Sequence, residues 1–299
     1  MSEEKIANPI QSGKEFYSVG FIVPDIINPF YAALTDELEQ LCRTFGLQLV
    51  IGYSRDDIEN ERDLIENFLK RGIDALVLSS AAKEELPYPY DIPIVYVDRQ
   101  LKSHSHHLVS TDHTEGALLL LDEFNKDYEG DFAFIGACEE LASSVQRLDA
   151  FKKHLDDNNG ILREDLIFHG LSHSVETGRK AYHHFRSLLI IEPEVSDNEE
   201  SEEEFTEEEP ELEFKEKLRF FFTSYPLLEG FVIEMQKNED YFVELPLGSF
   251  DCPHSFELFP YPLVCMRQDI EKIATEILIC LKSKDKSNLT LIMPKLLSK

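Results

Sequence analysis

The chain has 299 residues, 42% of them apolar and 29% charged, with a formal net charge of −29. That length and apolar content suffice for one large core or two medium ones, and the acidic balance excludes a broad basic face of the kind that displaces counterions from nucleic acid. Thirteen acidic residues lie between Glu192 and Glu213, a stretch without Lys or Arg, and the rest of the chain still carries −16.

The polar residues 1–17 read as a tail. Val19-Gly-Phe-Ile-Val23, closed by Pro24-Asp25, is a short apolar run of the kind that forms a strand buried on both faces. The break Pro24-Asp-Ile-Ile-Asn-Pro29 leads into a helix, with Phe30, Leu34, Leu38, Leu41 and Phe45 at three- and four-residue spacing and Gly46 as its stop. Leu47–Ile51 is the next strand, 57–71 an amphipathic helix ended by Gly72, and Asp74–Ser79 a third strand. Ile92–Val97 supplies a fourth, ending in Asp98-Arg99, and Leu108–Thr111 a fifth, followed by the helix Glu115–Phe124.

The pattern begins again at Asp131–Gly136, where the boundary between two similar lobes is expected. A helix over 143–158, a strand at Asp165–Phe168 and a helix over 175–189 follow. Residues 192–213 bury too little apolar surface to offset the entropy of ordering them and read as a disordered acidic insertion. Leu218–Thr223, Leu247–Phe250 and Leu263–Arg267 are strands, with helices over 226–236 and 270–282, and Leu289–Met293 adds an edge strand. Strands alternating with helices require right-handed crossovers and parallel sheets, whose ligands collect at the carboxyl ends of the strands.

Several chemistries lack their residues. The first turn has none of the glycines of a phosphate-cradling loop, so no nucleotide cofactor is expected. His104, His106 and His107 sit in a polar loop without a nearby cysteine and read as solvated, so no metal is expected. The five cysteines have no metal-ligand spacing and an odd count, and are expected to be buried thiols in a reducing compartment without structural disulfides. No nucleophile turn is present, so the chain is not expected to be an enzyme. With no leader or membrane-length apolar run, a cytoplasmic location without membrane contact is expected.

Polar residues at strand ends carry more. Asp98-Arg99 follows a wholly apolar strand and either caps the sheet or points into a cleft. Arg147 lies near the amino end of a helix, where the dipole disfavours a cation, which points to another use such as holding a hydroxyl or phosphate oxygen. Asp251 ends another strand and offers a carboxylate to two sugar hydroxyls.

The segments Val19-Gly-Phe-Ile-Val-Pro-Asp-Ile-Ile-Asn-Pro-Phe30, Gly72-Ile-Asp-Ala-Leu-Val-Leu78, Ile92-Pro-Ile-Val-Tyr-Val-Asp-Arg99, Arg147-Leu-Asp-Ala-Phe151 and Ser249-Phe-Asp251 resemble, in order, the effector-binding domain of LacI/GalR-family regulators. Glu140-Leu-Ala-Ser-Ser-Val and Ser255-Phe-Glu-Leu-Phe-Pro-Tyr-Pro are most similar to the catabolite repressor/activator group, which senses fructose phosphates. The resemblance implies a periplasmic-binding-protein-like α/β fold, with two Rossmann-like lobes of parallel sheet joined by three crossovers. The lobes so implied are 18–130 with 264–285 and 131–263 with 286–299. It further implies a sugar or sugar phosphate bound between the lobes, and dimerisation either with a second copy or with a full-length relative. Matching positions make Asp98, Arg99, Arg147 and Asp251 effector contacts, joined by Asn28 and Phe30 of the first turn.

Relatives of this kind begin with a helix-turn-helix head. Here 18 residues precede the first strand, and Asn8-Pro-Ile-Gln-Ser-Gly-Lys14 resembles a shortened hinge. The expectation is therefore a sensor domain that does not itself bind nucleic acid. Two other readings stand beside it: a DNA-binding regulator that acts through a longer start or a full-length partner, and an interaction protein whose acidic insertion recruits a basic partner.

Overall fold

The computed structural model describes residues 17–85, 92–102, 105–189, 217–238, 245–283 and 287–298. The 1–16 tail and the 192–213 insertion lie outside the described residues. Two six-stranded sheets organise the chain. The first contains β1 (Ser18–Val23), β2 (Gln48–Tyr53), β3 (Ala75–Leu78), β4 (Ile94–Val97), β5 (His107–Thr111) and β11 (Leu289–Ile292), in the order β11-β5-β4-β3-β1-β2. The second contains β6 (Asp131–Ala137), β7 (Ile167–Gly170), β8 (Leu218–Phe222), β9 (Leu247–Phe250), β10 (Leu263–Arg267) and β12 (Lys295–Ser298), in the order β12-β10-β9-β8-β6-β7. The two orders are the same winding used twice. In each, the first strand lies between the second and third, in parallel register.

This winding explains the unbroken apolar strands. On β1, Val19, Phe21 and Val23 face one cluster with Leu34 and Leu38 of α1 (Pro29–Thr44) and with Ile273 and Ile277 of α7 (Ile270–Lys282). Ile22 faces the other side, against Ile65 and Phe68 of α2 (Ile58–Lys70). Helices α1 and α2 end ahead of left-handed Gly46 and Gly72, as the spacing predicts. In the second sheet, Phe220 and Phe222 face α5 (Val175–Leu189) and α6 (Tyr225–Lys237). Phe221 faces the opposite cluster, shared by α3 (His113–Asp127) and α4 (Ala142–Asp157). Each sheet is thus covered on both faces, and its interior strands carry apolar residues at successive positions rather than alternate ones.

Helices α5 and α6 touch through glycines. A Cβ on Gly230 would lie 1.9 Å from the Val175 carbonyl oxygen, and one on Gly178 2.1 Å from that of Leu227. The backbones approach as closely as they do only because both positions lack a side chain.

The chain passes from the first sheet to the second before β6, returns through α7 to β11, and passes again to β12. These are the three crossovers of the expected periplasmic-binding-protein-like fold. The expected lobe boundaries need correction in four places. Helix α3 divides: Ala117 onward belongs to the second compact unit, because Ala117, Leu120, Leu121 and Phe124 pack on Phe132 and Phe134. The segment Glu140–Arg147, which runs into the start of α4, belongs to the first unit. Strand β10 lies in the second sheet, pairing with β9 from Leu263↔Leu247 to Met266↔Phe250. Strand β11 lies in the first, pairing with β5 from Leu289↔Leu108 to Ile292↔Thr111. Strand β12, absent from the sequence reading, then ends the second sheet.

The expectation of unpaired cysteines also needs correction. Cys252 and Cys265 form a disulfide across 13 residues, while Cys42, Cys138 and Cys280 take part in no disulfide. An odd count and the lack of metal-ligand spacing say nothing about this pair, because the two cysteines meet through tertiary structure: Cys265 sits in the middle of β10, paired in register with Ser249 of β9, and the loop after β9 turns back over it.

Candidate functional site

In a doubly wound sheet the winding reverses on either side of the first strand, and the loops leaving the carboxyl ends there open a crevice. In the first unit those loops carry a buried polar cluster centred on Asp98. Asp98 follows β4 in the left-handed region, with φ of 66°. That conformation is held from β5: the Asp98 amide donates to the Val109 carbonyl (3.0 Å), and the Ser110 hydroxyl donates to the Asp98 carbonyl (3.0 Å). Asp tolerates this region better than most residues because its short side chain satisfies nearby groups. The turn aims the carboxylate at Tyr31 of α1, whose hydroxyl donates to Oδ2 at 2.7 Å and lies 2.8 Å from Ser79 Oγ at the end of β3.

His113, at the start of α3 and 1% exposed, faces the other oxygen, with Nε2 3.7 Å from Asp98 Oδ1. Its Nδ1 lies 3.0 Å from Nη2 of Arg147. A guanidinium only donates, so Nδ1 accepts and the ring proton sits on Nε2, toward the carboxylate. Burial and the neighbouring Arg147 cation outweigh Asp98 and Asp112 and push the imidazole down to about 4, which leaves it neutral at physiological pH. Burial works to raise the Asp98 carboxyl, but His113, the Tyr31 hydroxyl and Arg99 together hold it below the ordinary carboxylate range. The result is a buried, charged acceptor beside a neutral imidazole.

Arg99, the next residue, pairs with Asp56 and reaches the Ser80 carbonyl at 3.5 Å. Ser80 and the Ala81 amide in turn donate to Glu61, a fully buried carboxylate of α2, at 2.7 and 2.6 Å. The loop after β3 is thereby pinned beside the arginine. Arg147, 5% exposed, comes from the early turns of α4. Three polar contacts tie the segment Glu140–Arg147 to the rest of the first unit: Glu140 with Lys83, Gln146 with Gln100 at 2.9 Å, and Arg147 with His113. They are the physical reason that Arg147 joins Asp98 and Arg99 rather than belonging to the second unit.

The remaining expected positions lie elsewhere. Asn28 is the N-cap of α1, with Oδ1 accepting from the Phe30 amide at 3.0 Å, and Phe30 packs in the core edge-to-face with Tyr31. Asp251 belongs to the second unit and follows β9 with φ of 81°, its amide donating to the Met266 carbonyl at 2.9 Å. Strand β9 occupies the place in its sheet that β4 occupies in the first, and Met266 of β10 matches Val109 of β5. Asp98 and Asp251 are therefore equivalent residues of a repeated unit, each in the same unusual backbone conformation.

Sequence reasoning passed over Tyr31, Ser79 and His113. Tyr31 and Ser79 were hidden inside elements that read as wholly structural, whereas His113, directly after Asp112 at a helix start, carried a signal of its own. Among the described residues no group of three or more His, Cys, Asp or Glu side chains is placed to hold a metal ion. No helix of the described residues is long and apolar enough to cross a membrane.

Two parallel sheets wound alike, with polar residues gathered at strand ends, define the periplasmic-binding-protein-like class. Residues 17–115 match the family model described as periplasmic binding proteins and sugar-binding domain of the LacI family. The chain is 28% identical over 160 residues to the sucrose operon repressor of Klebsiella pneumoniae, covering 52% of this chain and 48% of that protein. It is 32% identical over 149 residues to the catabolite repressor/activator of Escherichia coli, covering 47% of this chain and 44% of that protein. The chain spans about half the length of the curated relatives it matches. Both relatives are regulators by name, not enzymes. Among solved structures, the fold is shared with the Cra transcriptional dual regulator of Pseudomonas putida in complex with fructose 1-phosphate. That likeness has a TM-score of 0.75 at 24% identity, covering 95% of this chain and 99% of the other.

Proposed function

We propose that the chain is the effector-sensing part of a cytoplasmic LacI-type regulator and that its effector is a phosphorylated sugar of the fructose phosphate kind. Asp98 accepts sugar hydroxyls through its charged carboxylate, and the guanidinium groups of Arg99 and Arg147 hold the anionic group. Asp251, the matching residue of the second unit, is a further hydroxyl acceptor. The observation that carries this reading is the Asp98 cluster itself. A carboxylate held charged by Tyr31 and His113, at the switch point of a parallel sheet and flanked by two arginines, offers both chemistries that a sugar phosphate needs. The relative of known complex that shares the fold binds fructose 1-phosphate. Asn28 and Phe30 support the site indirectly, by starting the helix that presents Tyr31. The regulator is proposed to act as a dimer, either with a second copy or with a full-length relative.

Isothermal titration calorimetry with fructose 1-phosphate, fructose 1,6-bisphosphate, fructose and glucose 6-phosphate tests the proposal. Saturable binding of a phosphorylated ketose, with weak or absent binding of the unphosphorylated sugar, is expected. Absence of binding across the panel rejects it.

A further inference from the structure

We propose that the Cys252–Cys265 disulfide is a reversible redox clasp that sets the effector affinity of Asp251. The inference rests on the effector reading given above. Cys252 immediately follows Asp251, and its partner lies on β10, one residue before the Met266 whose carbonyl receives the Asp251 amide. The bond therefore closes a small ring of structure around Asp251: β9 and β10 hold the residue by backbone hydrogen bonds, and the disulfide anchors the next residue to β10. With the bond formed, the left-handed turn at Asp251 has little freedom. With it broken, the turn keeps the hydrogen bond of the Asp251 amide and the packing of the following loop but loses its covalent tie to β10.

The rest of this loop does not need the bond to stay folded. Phe256 is buried in the core of the second unit, and Phe259 and Tyr261 pack partly buried against it. A chain of this size, with two well-filled cores, has no need of a covalent staple. The bond is also reachable from one side, because Cys252 is only half-buried whereas Cys265 is fully buried. Reduction follows from that asymmetry. A thiolate of a small dithiol attacks Cys252 Sγ, the disulfide breaks, and Cys265 leaves as a thiolate that takes up a proton. The second thiol of the reductant then attacks the mixed disulfide and releases Cys252 as a thiol, leaving the reductant oxidised to its cyclic disulfide. Two electrons and two protons pass to the protein. In a reducing compartment the clasp is open, and oxidation closes it.

The test uses the full chain prepared in air and the same chain treated with dithiothreitol, without altering its sequence. Thiol titration in denaturant is expected to find three reactive cysteines in the first form and five in the second. Calorimetry with fructose 1-phosphate is expected to give about tenfold weaker binding for the reduced form, which must order the Asp251 turn on binding. Cys252→Ser should bind like the reduced form whether or not dithiothreitol is present, and circular dichroism checks that it is folded. Five reactive thiols in the air-prepared chain, or equal affinities for the two forms, overturn the clasp and leave the effector reading standing. No binding by either form overturns the effector reading and the clasp with it.

Discussion

Asp98 shows how one residue serves backbone and ligand together. Its φ of 66° excludes most substitutions by strain alone, but Asn tolerates the same region, so Asp98→Asn isolates the charge. The variant should fold normally, since an amide oxygen still accepts from Tyr31, and should bind fructose 1-phosphate about tenfold to hundredfold more weakly, the worth of one hydrogen bond to a charged group. Unchanged affinity in calorimetry would remove Asp98 from the site. His113 makes a separate prediction through pH. Its folded value of about 4 lies below the ordinary 6.5, so between those limits the unfolded chain binds a proton that the folded chain refuses. Stability is complete above the upper limit and falls as pH drops through the interval, by roughly 3 kcal/mol in all. Urea denaturation across that range should show this slope in the wild type and a flatter one in His113→Gln. Asp98 acts in the same direction, but only below the ordinary carboxylate value, so the two windows separate.

Whole elements were legible in the sequence where burial on both faces wrote an apolar run, as in β1 and β8, or where a three- and four-residue spacing ran between a cap and a glycine, as in α1 and α2. Strand β12 left no trace, because Lys295–Ser298 is short and only partly buried and owes its place to the end of a sheet built from distant residues. The lobe boundaries failed for a related reason. Which sheet accepts β10 or β11 is decided by pairing partners far away in sequence, and nothing inside either strand specifies it. The disulfide and the Arg147–His113 contact belong to the same class of long-range facts. The site was half legible: charged residues at strand ends announce themselves, whereas Tyr31 reads as one more apolar-face residue of α1. The α5–α6 crossing is equally invisible until the backbone is seen. Gly230→Ala drives a methyl into the Val175 carbonyl, and the helices must separate. A loss of about 1–3 kcal/mol is expected from overpacking, read by thermal denaturation, although Ala is ordinarily the better helix former. A more stable Gly230→Ala would mean that the helices slide apart without cost.

At the scale of the molecule, net charge opposes folding. A chain carrying −29 repels itself, and at low ionic strength that repulsion reaches across the whole protein, since screening acts over about 30 Å at 0.01 M salt but only about 10 Å at 0.1 M. Ion pairs act in the opposite sense, because salt weakens them. Most of those described, such as Arg43–Glu39 and Lys70–Glu66 within single helices, are exposed and contribute little individually. Repulsion should therefore prevail, and moving from 0.01 M to 0.2 M potassium chloride should raise stability by about 1 kcal/mol, or about 2–4 °C in Tm. Deleting residues 194–212 removes 11 acidic side chains in one step and should shrink that increment. The deletion should leave affinity for fructose 1-phosphate unchanged, because the residues that compose the Asp98 cluster all lie before position 148. A Tm that falls with added salt would show that the ion pairs outweigh the net charge. A deletion that weakens effector binding would instead tie the acidic segment to the site.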